Sequence, residues 1–329
     1  MSTRAMMLSK VLKLSIFLNF SVLLVFQVSF VAARVEANET KLIFYYGPEF
    51  TDSQSYELTE AAEILKNPHF HQNQETHIYL HGWTESQNST STHTIVDAYL
   101  KRRDLNLITV DWAKAADVGY FEAAAVNIEL IAPVLADSIL DLYYAGIDRK
   151  DLRVVGHSLG GQLTGMTGRN VLKNSNNIIQ IYRIDLLDPA WPLFMPGSIP
   201  SVNKSDAEFV QVIHTESGTF SPPLPLGHVD FYPNGGSNQP GCTNGTLFYS
   251  PNSSQGSCSH HRSWHFWAES VENVNGTDPK FLALPLISWP DTGPIEMGIN
   301  CPINVEGSYF LTTNSEYPFA KGEDGLASF

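Results

Sequence analysis

The sequence predicts an α/β fold: a doubly wound, mostly parallel sheet flanked by helices in one domain. Two observations carry this expectation. First, short runs rich in β-branched and aliphatic residues recur along the chain, and several are almost continuously apolar. They are "THIYLHGW" (76–83), "LNLITVDW" (105–112), "DLRVVGHS" (151–158), "NIIQIYRIDLLD" (177–188) and "EFVQVIHT" (208–215). Unbroken apolar runs of this length suit strands buried on both faces of a parallel sheet. Second, helical patterns separate them. "YFEAAAVNIELIAPVLADSILDLYYAG" is alanine- and leucine-rich, with Pro133 as its expected irregularity, and Gly161–Val171 reads as a helix after the third strand. Strand–helix–strand alternation is the signature of α/β architecture. There is no internal repeat, and the tail after about residue 310 is too short for a second domain.

The first 33 residues differ from the rest. Arg4, Lys10 and Lys13 precede the apolar run "LSIFLNFSVLLVFQVSFVAA", which ends in Val31-Ala32-Ala33. A positive start, an apolar middle and small residues at the exit describe a secretory signal peptide spanning 1–33, with Ala37 as the second choice of cleavage site. Asn19, Ser21, Gln27 and Ser29 dilute the run and argue against a retained anchor. Asn38, Asn88, Asn203, Asn244, Asn252 and Asn275 each begin an N-x-S/T acceptor for glycosylation, as a secreted chain would carry. No transmembrane segment is expected once the signal is removed.

The chain carries a formal net charge of −14, and without residues 1–33 it has 17 basic residues against 34 acidic. No Lys/Arg cluster breaks this balance, so nucleic acid and strongly anionic surfaces are poor electrostatic partners. Three cysteines are present. Cys242 and Cys258 are nearest in sequence and flank a polar stretch, so they are the expected disulfide. Cys301 is left over, either buried and inert or free for an intermolecular bond.

The chemistry centres on "VVGHSLGGQLTG" (154–165), where Gly156-x-Ser158-x-Gly160 follows an apolar strand and opens a helix. A serine hydroxyl is a weak nucleophile until a base within hydrogen-bond reach takes its proton. A sharp strand-to-helix turn exposes it, and flanking glycines avoid steric conflict there. In this arrangement an acid follows at the end of a later strand, and a histidine later still. The next strand ends "RIDLLDPAWP". Asp188 lies at its end, where Pro189 turns the chain out of the sheet, whereas Asp185 would still be inside the strand, with a polar residue at the sheet rim as its alternative reading. Downstream lie His214, His228, His260, His261 and His265. The first two read as organisers of loops. In "CSHHRSWHFW", His260 is two residues past the expected disulfide, and spacing alone does not separate it from His261. An oxyanion hole needs backbone donors: the N–H of Leu159, after the serine, and that of Trp83 in "IYLHGWTE".

Taken with "YLHGWTES", "LITVDWAKAA", "LRVVGHSLGGQLTGMTG", "IYRIDLLDPAWPLF", "DAEFVQVIHTESG", "LGHVDFYPNGGSNQPGC", "CSHHRSWHFWAES" and "GSYFLTTNSEYPFAKG", these pieces resemble the pancreatic lipase family of the α/β-hydrolase superfamily. The resemblance runs in the family's order from about 40 to 322. It implies an α/β-hydrolase fold with Ser158 as nucleophile, Asp188 as orienting acid, His260 rather than His261 as base, and oxyanion donors at Trp83 and Leu159. It implies a lid at 243–257, closed by Cys242–Cys258, within a hydrolase domain spanning 34–329. The chain departs from the pancreatic enzymes by stopping without their C-terminal β-sandwich. Their calcium loop has acids where this chain keeps Asp206 but offers Ser198 and Asn203, so no metal is expected, and no cofactor.

The lid, with Leu247-Phe248-Tyr249 as its apolar part, and "ESGTFSPPLPL" both look short. Short loops resemble the phospholipase A1 branch, which sets a secreted phospholipase A1-like enzyme ahead of a neutral triacylglycerol lipase. The expected partner is a lipid substrate at a membrane or lipid interface. Two other readings are a catalytically idle lipid-binding homologue of the yolk type and an esterase for small soluble esters.

Overall fold

The computed structural model describes residues 39–195, 197–242, 258–273, 279–287 and 293–326. The expected signal peptide 1–33, the lid 243–257 and the acceptors Asn38, Asn244, Asn252 and Asn275 lie outside the described residues.

The central strands are β3 (Thr76–Leu80), β4 (Asn106–Asp111), β5 (Leu152–His157), β6 (Arg183–Leu187) and β7 (Phe209–Ile213), all inside the expected runs. Every residue of β3, β6 and β7 is buried, which is why their sequences do not alternate. Around them lie β1 (Lys41–Tyr45), β2 (Ser53–Glu57), β8 (Val229–Pro233), β9 (Leu282–Pro285), β10 (Ile295–Glu296) and β11 (Gly307–Leu311). The sheet order is β10-β9-β11-β8-β7-β6-β5-β3-β4-β1-β2. From β4 through β8 to β11 the neighbours are parallel. Antiparallel pairs close both margins. The margin strand β2, "SQSYE", is polar and largely exposed, as a sheet edge must be to avoid pairing with another chain.

Helices cover both faces. On one, α2 (Ile128–Ala145) and α3 (Leu159–Asn174) bury Ile131, Leu135, Ile139 and Leu163 in one apolar cluster. On the other, α1 (Thr90–Arg102) and α4 (Cys258–Glu272) bury Ile95, Val96, Trp264 and Trp267 in a second. Tyr120–Ala145 is long and apolar enough to cross a membrane by composition, yet 61% of its apolar window is buried inside the fold. The irregularity expected at Pro133 falls upstream instead, in a π-helical turn at Ala123–Asn127. There Asn127 is buried, and its Nδ2 donates to the Ala115 carbonyl at 2.9 Å.

Candidate active site

Ser158 occupies the single residue between β5 and α3, with φ 53° and ψ −122°. A non-glycine residue held there costs roughly 1–3 kcal/mol, which surrounding bonds must offset. The Ser158 N–H donates to Leu187 O, and its carbonyl accepts from the N–H groups of Gly161 and Ala190, each at 3.0 Å. The glycines of the motif are needed for close approach. A Cβ on Gly156 would lie 2.5 Å from Thr164 Oγ1 and 2.6 Å from Gly160 O, and one on Gly160 would press on the carbonyls of Leu80 and His81. Chain direction at the turn is therefore fixed by packing on both sides of Ser158.

Ala190 ties this turn to the end of β6, where Asp188 sits fully buried with φ 48°. Its Oδ2 lies 2.6 Å from His260 Nδ1, and its Oδ1 accepts the N–H groups of Thr215 at 2.7 Å and Glu216 at 3.1 Å. Burial works against ionisation of Asp188. The His260 bond and charge, together with the two N–H donors, outweigh it and hold the carboxyl below its ordinary value. Asp185 is not at a rim. It is fully buried in mid-strand, paired in register with Gln211 and held by Arg183, away from His260.

His260 lies in the first turn of α4, two residues past Cys258, which is bonded to Cys242 with a Cα–Cα distance of 5.5 Å. Its N–H donates to Glu216 Oε2 at 3.0 Å, and its ring stacks on Phe220 at 5.2 Å. With Nδ1–H given to Asp188, the neutral imidazole presents Nε2 as a lone pair. Burial disfavours the imidazolium, but the Asp188 bond and charge, then Glu216 and Glu85, raise the His260 pKa above the ordinary value. Neighbouring His261 is pushed down to about 4 by burial first, and then by electrostatic coupling to the nearby His157 and His260. Tertiary partners thus separate two histidines that are adjacent in sequence.

Among the described residues, the backbone N–H groups of Trp83 and Leu159 have no acceptor. Leu159 is the first residue of α3, where helix N–H groups are unsatisfied and the dipole favours negative charge. The Trp83 indole donates to Val118 O at 2.8 Å and meets Tyr120 edge-on at 5.3 Å. The Gly82 carbonyl before it accepts from His81 Nδ1 at 3.0 Å.

The remaining expected positions lie elsewhere. Asp206 is fully buried, and its carboxylate is 3.2 Å from Arg169 Nη1, which also donates to Ser201 O at 3.0 Å. Burial pushes the Asp206 carboxyl up to about 6 against the pull of Arg169. Asn203 caps the Lys204–Asp206 turn by accepting the Ser205 N–H, and Ser198 is exposed. With one acid already taken by a guanidinium, this set does not fit a calcium ion. His214 bonds Asp230 at 2.7 Å, and His228 accepts the Val210 N–H at 3.0 Å, both as loop organisers. Of the described glycosylation acceptors, Asn88 is exposed and Asn203 half-buried. Cys301 is buried, and burial pushes its thiol up to about 12. Glu216, Phe220, Glu85 and His157 went unseen in the sequence. The acid of "HTES", just past β7, was the available signal for Glu216.

Residues 20–284 match the family model described as Lipase, and the chain belongs to this family, of the pancreatic lipase type. With the parallel sheet and the turn after β5, the fold is that of an α/β hydrolase. The chain is 31% identical over 254 residues to pancreatic lipase-related protein 2 of Cavia porcellus, covering 73% of this chain and 53% of that protein. It is 30% identical over 243 residues to phospholipase A1 member A of Bos taurus, covering 73% and 49%. The chain spans about half the length of the curated relatives it matches. Among solved structures, a hydrolase of the alpha/beta superfamily from Xanthomonas campestris aligns with a TM-score of 0.34 at 13% identity, covering 45% of this chain and 76% of that one.

Proposed function

We propose that this chain is a secreted lipid carboxylic ester hydrolase that works through Ser158, His260 and Asp188. The observation that carries the reading is the 2.6 Å bond between Asp188 Oδ2 and His260 Nδ1, built beside the strained turn that presents Ser158. In this mechanism His260 Nε2 takes the Ser158 proton as Oγ attacks the ester carbonyl. The oxyanion is received by the N–H groups of Trp83 and Leu159. His260 then protonates the departing alcohol, and water hydrolyses the acyl-enzyme by the same route. Asp188 fixes the imidazole tautomer and stabilises the imidazolium.

Within this class, the substrate we propose is a glycerophospholipid cleaved in the phospholipase A1 manner at a lipid interface. Relatives named for a pancreatic lipase and for a phospholipase A1 have nearly the same identity, so their names do not choose between substrates. The short connection from Thr215 to Gly227 favours the open cleft of a phospholipase. Secretion is supported by the N-terminal run 1–33, by the acceptor sequences and by the Cys242–Cys258 disulfide. The mature hydrolase domain then begins at Arg34, with 243–257 as its lid, and Asn38, Asn88, Asn203, Asn244, Asn252 and Asn275 as its glycan sites.

Phosphatidylcholine labelled differently at its two ester positions, triolein and a short-chain ester separate the substrate readings. Release of the acyl chain labelled at the sn-1 position, faster than from triolein, is expected, and release of the sn-2 chain would overturn the A1 assignment. Preference for triolein would make the protein a triacylglycerol lipase, and short-ester turnover alone would make it a general esterase. No turnover of any substrate would leave an idle lipid binder and overturn the proposal.

A further inference from the structure

Glu85 touches both halves of the candidate site, though nothing in the catalytic scheme above requires it. Its side chain is 15% exposed. Its Oε2 accepts the Gly82 N–H at 2.5 Å and faces His157 Nδ1 at 3.1 Å. His157 is the last residue of β5, directly before Ser158. Gly82 is packed against the same turn: a Cβ there would stand 3.0 Å from Ser158 Cβ and 3.1 Å from Glu85 Oε2. A single carboxylate oxygen therefore joins the loop after β3 to the end of β5.

That loop carries the Trp83 N–H, and its direction is set by two consecutive peptide planes. Glu85 holds the first through the Gly82 N–H. The second is held at the Gly82 carbonyl, which accepts from His81 Nδ1 at 3.0 Å and from the Glu85 N–H at 3.3 Å. A trans peptide is planar with N–H and C=O pointing opposite ways, so a pinned Gly82 carbonyl fixes the Trp83 N–H. Thr84, with φ 57°, completes the reversal between them.

We propose that Glu85 is a positioning residue, whose carboxylate clamps the 81–85 loop to His157 and aims the Trp83 N–H at the oxyanion formed on the Ser158 adduct. The inference rests on the hydrolase reading above. Because the aimed donor meets full negative charge only in the transition state, losing the clamp lowers kcat more than it raises KM. Glu85 is ionised throughout the working range. Burial opposes its charge, but His157, the Gly82 N–H and His81 hold its carboxyl far below the usual value. Its charge also helps raise the His260 pKa, alongside Asp188 and Glu216, while the rings of His157 and His261 lie beside His260.

The test compares the full chain with Glu85→Ala, Glu85→Gln and Ser158→Ala in ester hydrolysis across pH, with folding followed by circular dichroism. Glu85→Ala is expected to lose about 10- to 100-fold in kcat, with KM within about two-fold. Glu85→Gln keeps an amide oxygen for the Gly82 N–H and is expected to lose less than about five-fold. Its acid limb of kcat/KM should shift to lower pH, because His260 loses a neighbouring negative charge. Parental kcat and an unmoved acid limb in Glu85→Gln overturn the assignment even if Glu85→Ala does not fold, and so does a loss confined to KM. An inactive parent, or a Ser158→Ala variant as active as the parent, would instead defeat the hydrolase reading. An active parent with a dead Ser158→Ala, and Glu85 variants that match the parent, defeats the Glu85 assignment alone.

Discussion

Asp185 and Asp188 lie three residues apart, one in mid-strand and one just past the end of β6. Both are fully buried, yet their partners differ in kind. Asp185 receives Arg183 Nε at 2.9 Å and Gln211 Nε2 at 2.5 Å. Arg183 also reaches the carbonyls of Cys301 at 2.8 Å and Gly298 at 3.0 Å, stitching the 298–301 segment to the sheet. The guanidinium at the centre of that cluster stays charged at any working pH. Asp188 is met by two backbone N–H groups and one imidazole, the partner that can gain and lose a proton near neutrality. Within this pair, the carboxylate that holds an imidazole is the candidate functional one, and the carboxylate that holds a guanidinium is structural.

The largest expected effect breaks the functional side of this contrast. Asp188→Asn removes the acceptor that selects the His260 tautomer, and kcat for ester hydrolysis should fall by about 10⁴-fold with the protein still folded. An effect below ten-fold would show that the imidazole does not depend on Asp188. The second variant breaks the structural side. Arg183→Met strands the Asp185 charge and two carbonyls, and should cost about 3–5 kcal/mol of stability in denaturant unfolding, with kcat of the folded fraction unchanged. A loss of kcat without loss of stability would reverse the assignment.

The smallest effect is in pH. In the proposed mechanism His260 must be neutral to act, and its pKa is raised, so the acid limb of kcat/KM should have its midpoint above about 6.5, moving down in Asp188→Asn. For stability, the raised His260 contributes fully below about 6.5 and is lost as pH rises through its folded pKa. The lowered Asp188 contributes above about 3.9 and is lost as pH falls through its folded pKa. Unfolding followed across this range should show the pair's contribution between those limits, and Asp188→Asn should flatten it.

The sequence carried the parts of the fold that are local. Continuous apolar runs marked β3 to β7, and glycine spacing marked the Ser158 turn. An acid before a proline at a strand end marked Asp188. Two nearby cysteines marked the disulfide found at Cys242–Cys258. The sheet margins were illegible because β2 is polar and β9 and β10 are short, so their pairing is set by neighbours elsewhere in the sheet. The rim reading of Asp185 fails for the same reason. Arg183 shares its face at spacing two, but Gln211 lies directly across on β7. The resemblance pointed to His260 over His261, but the physical reason for that choice is Asp188, 72 residues away, and Glu85 becomes meaningful only beside His157, also 72 residues away.

The most direct test of the central claim is covalent labelling of the intact chain by a fluorophosphonate, read by peptide mass spectrometry. Stoichiometric modification of Ser158 is expected, slowed in Asp188→Asn and absent in Ser158→Ala together with hydrolysis. Labelling of another serine with hydrolysis surviving in Ser158→Ala would contradict that claim.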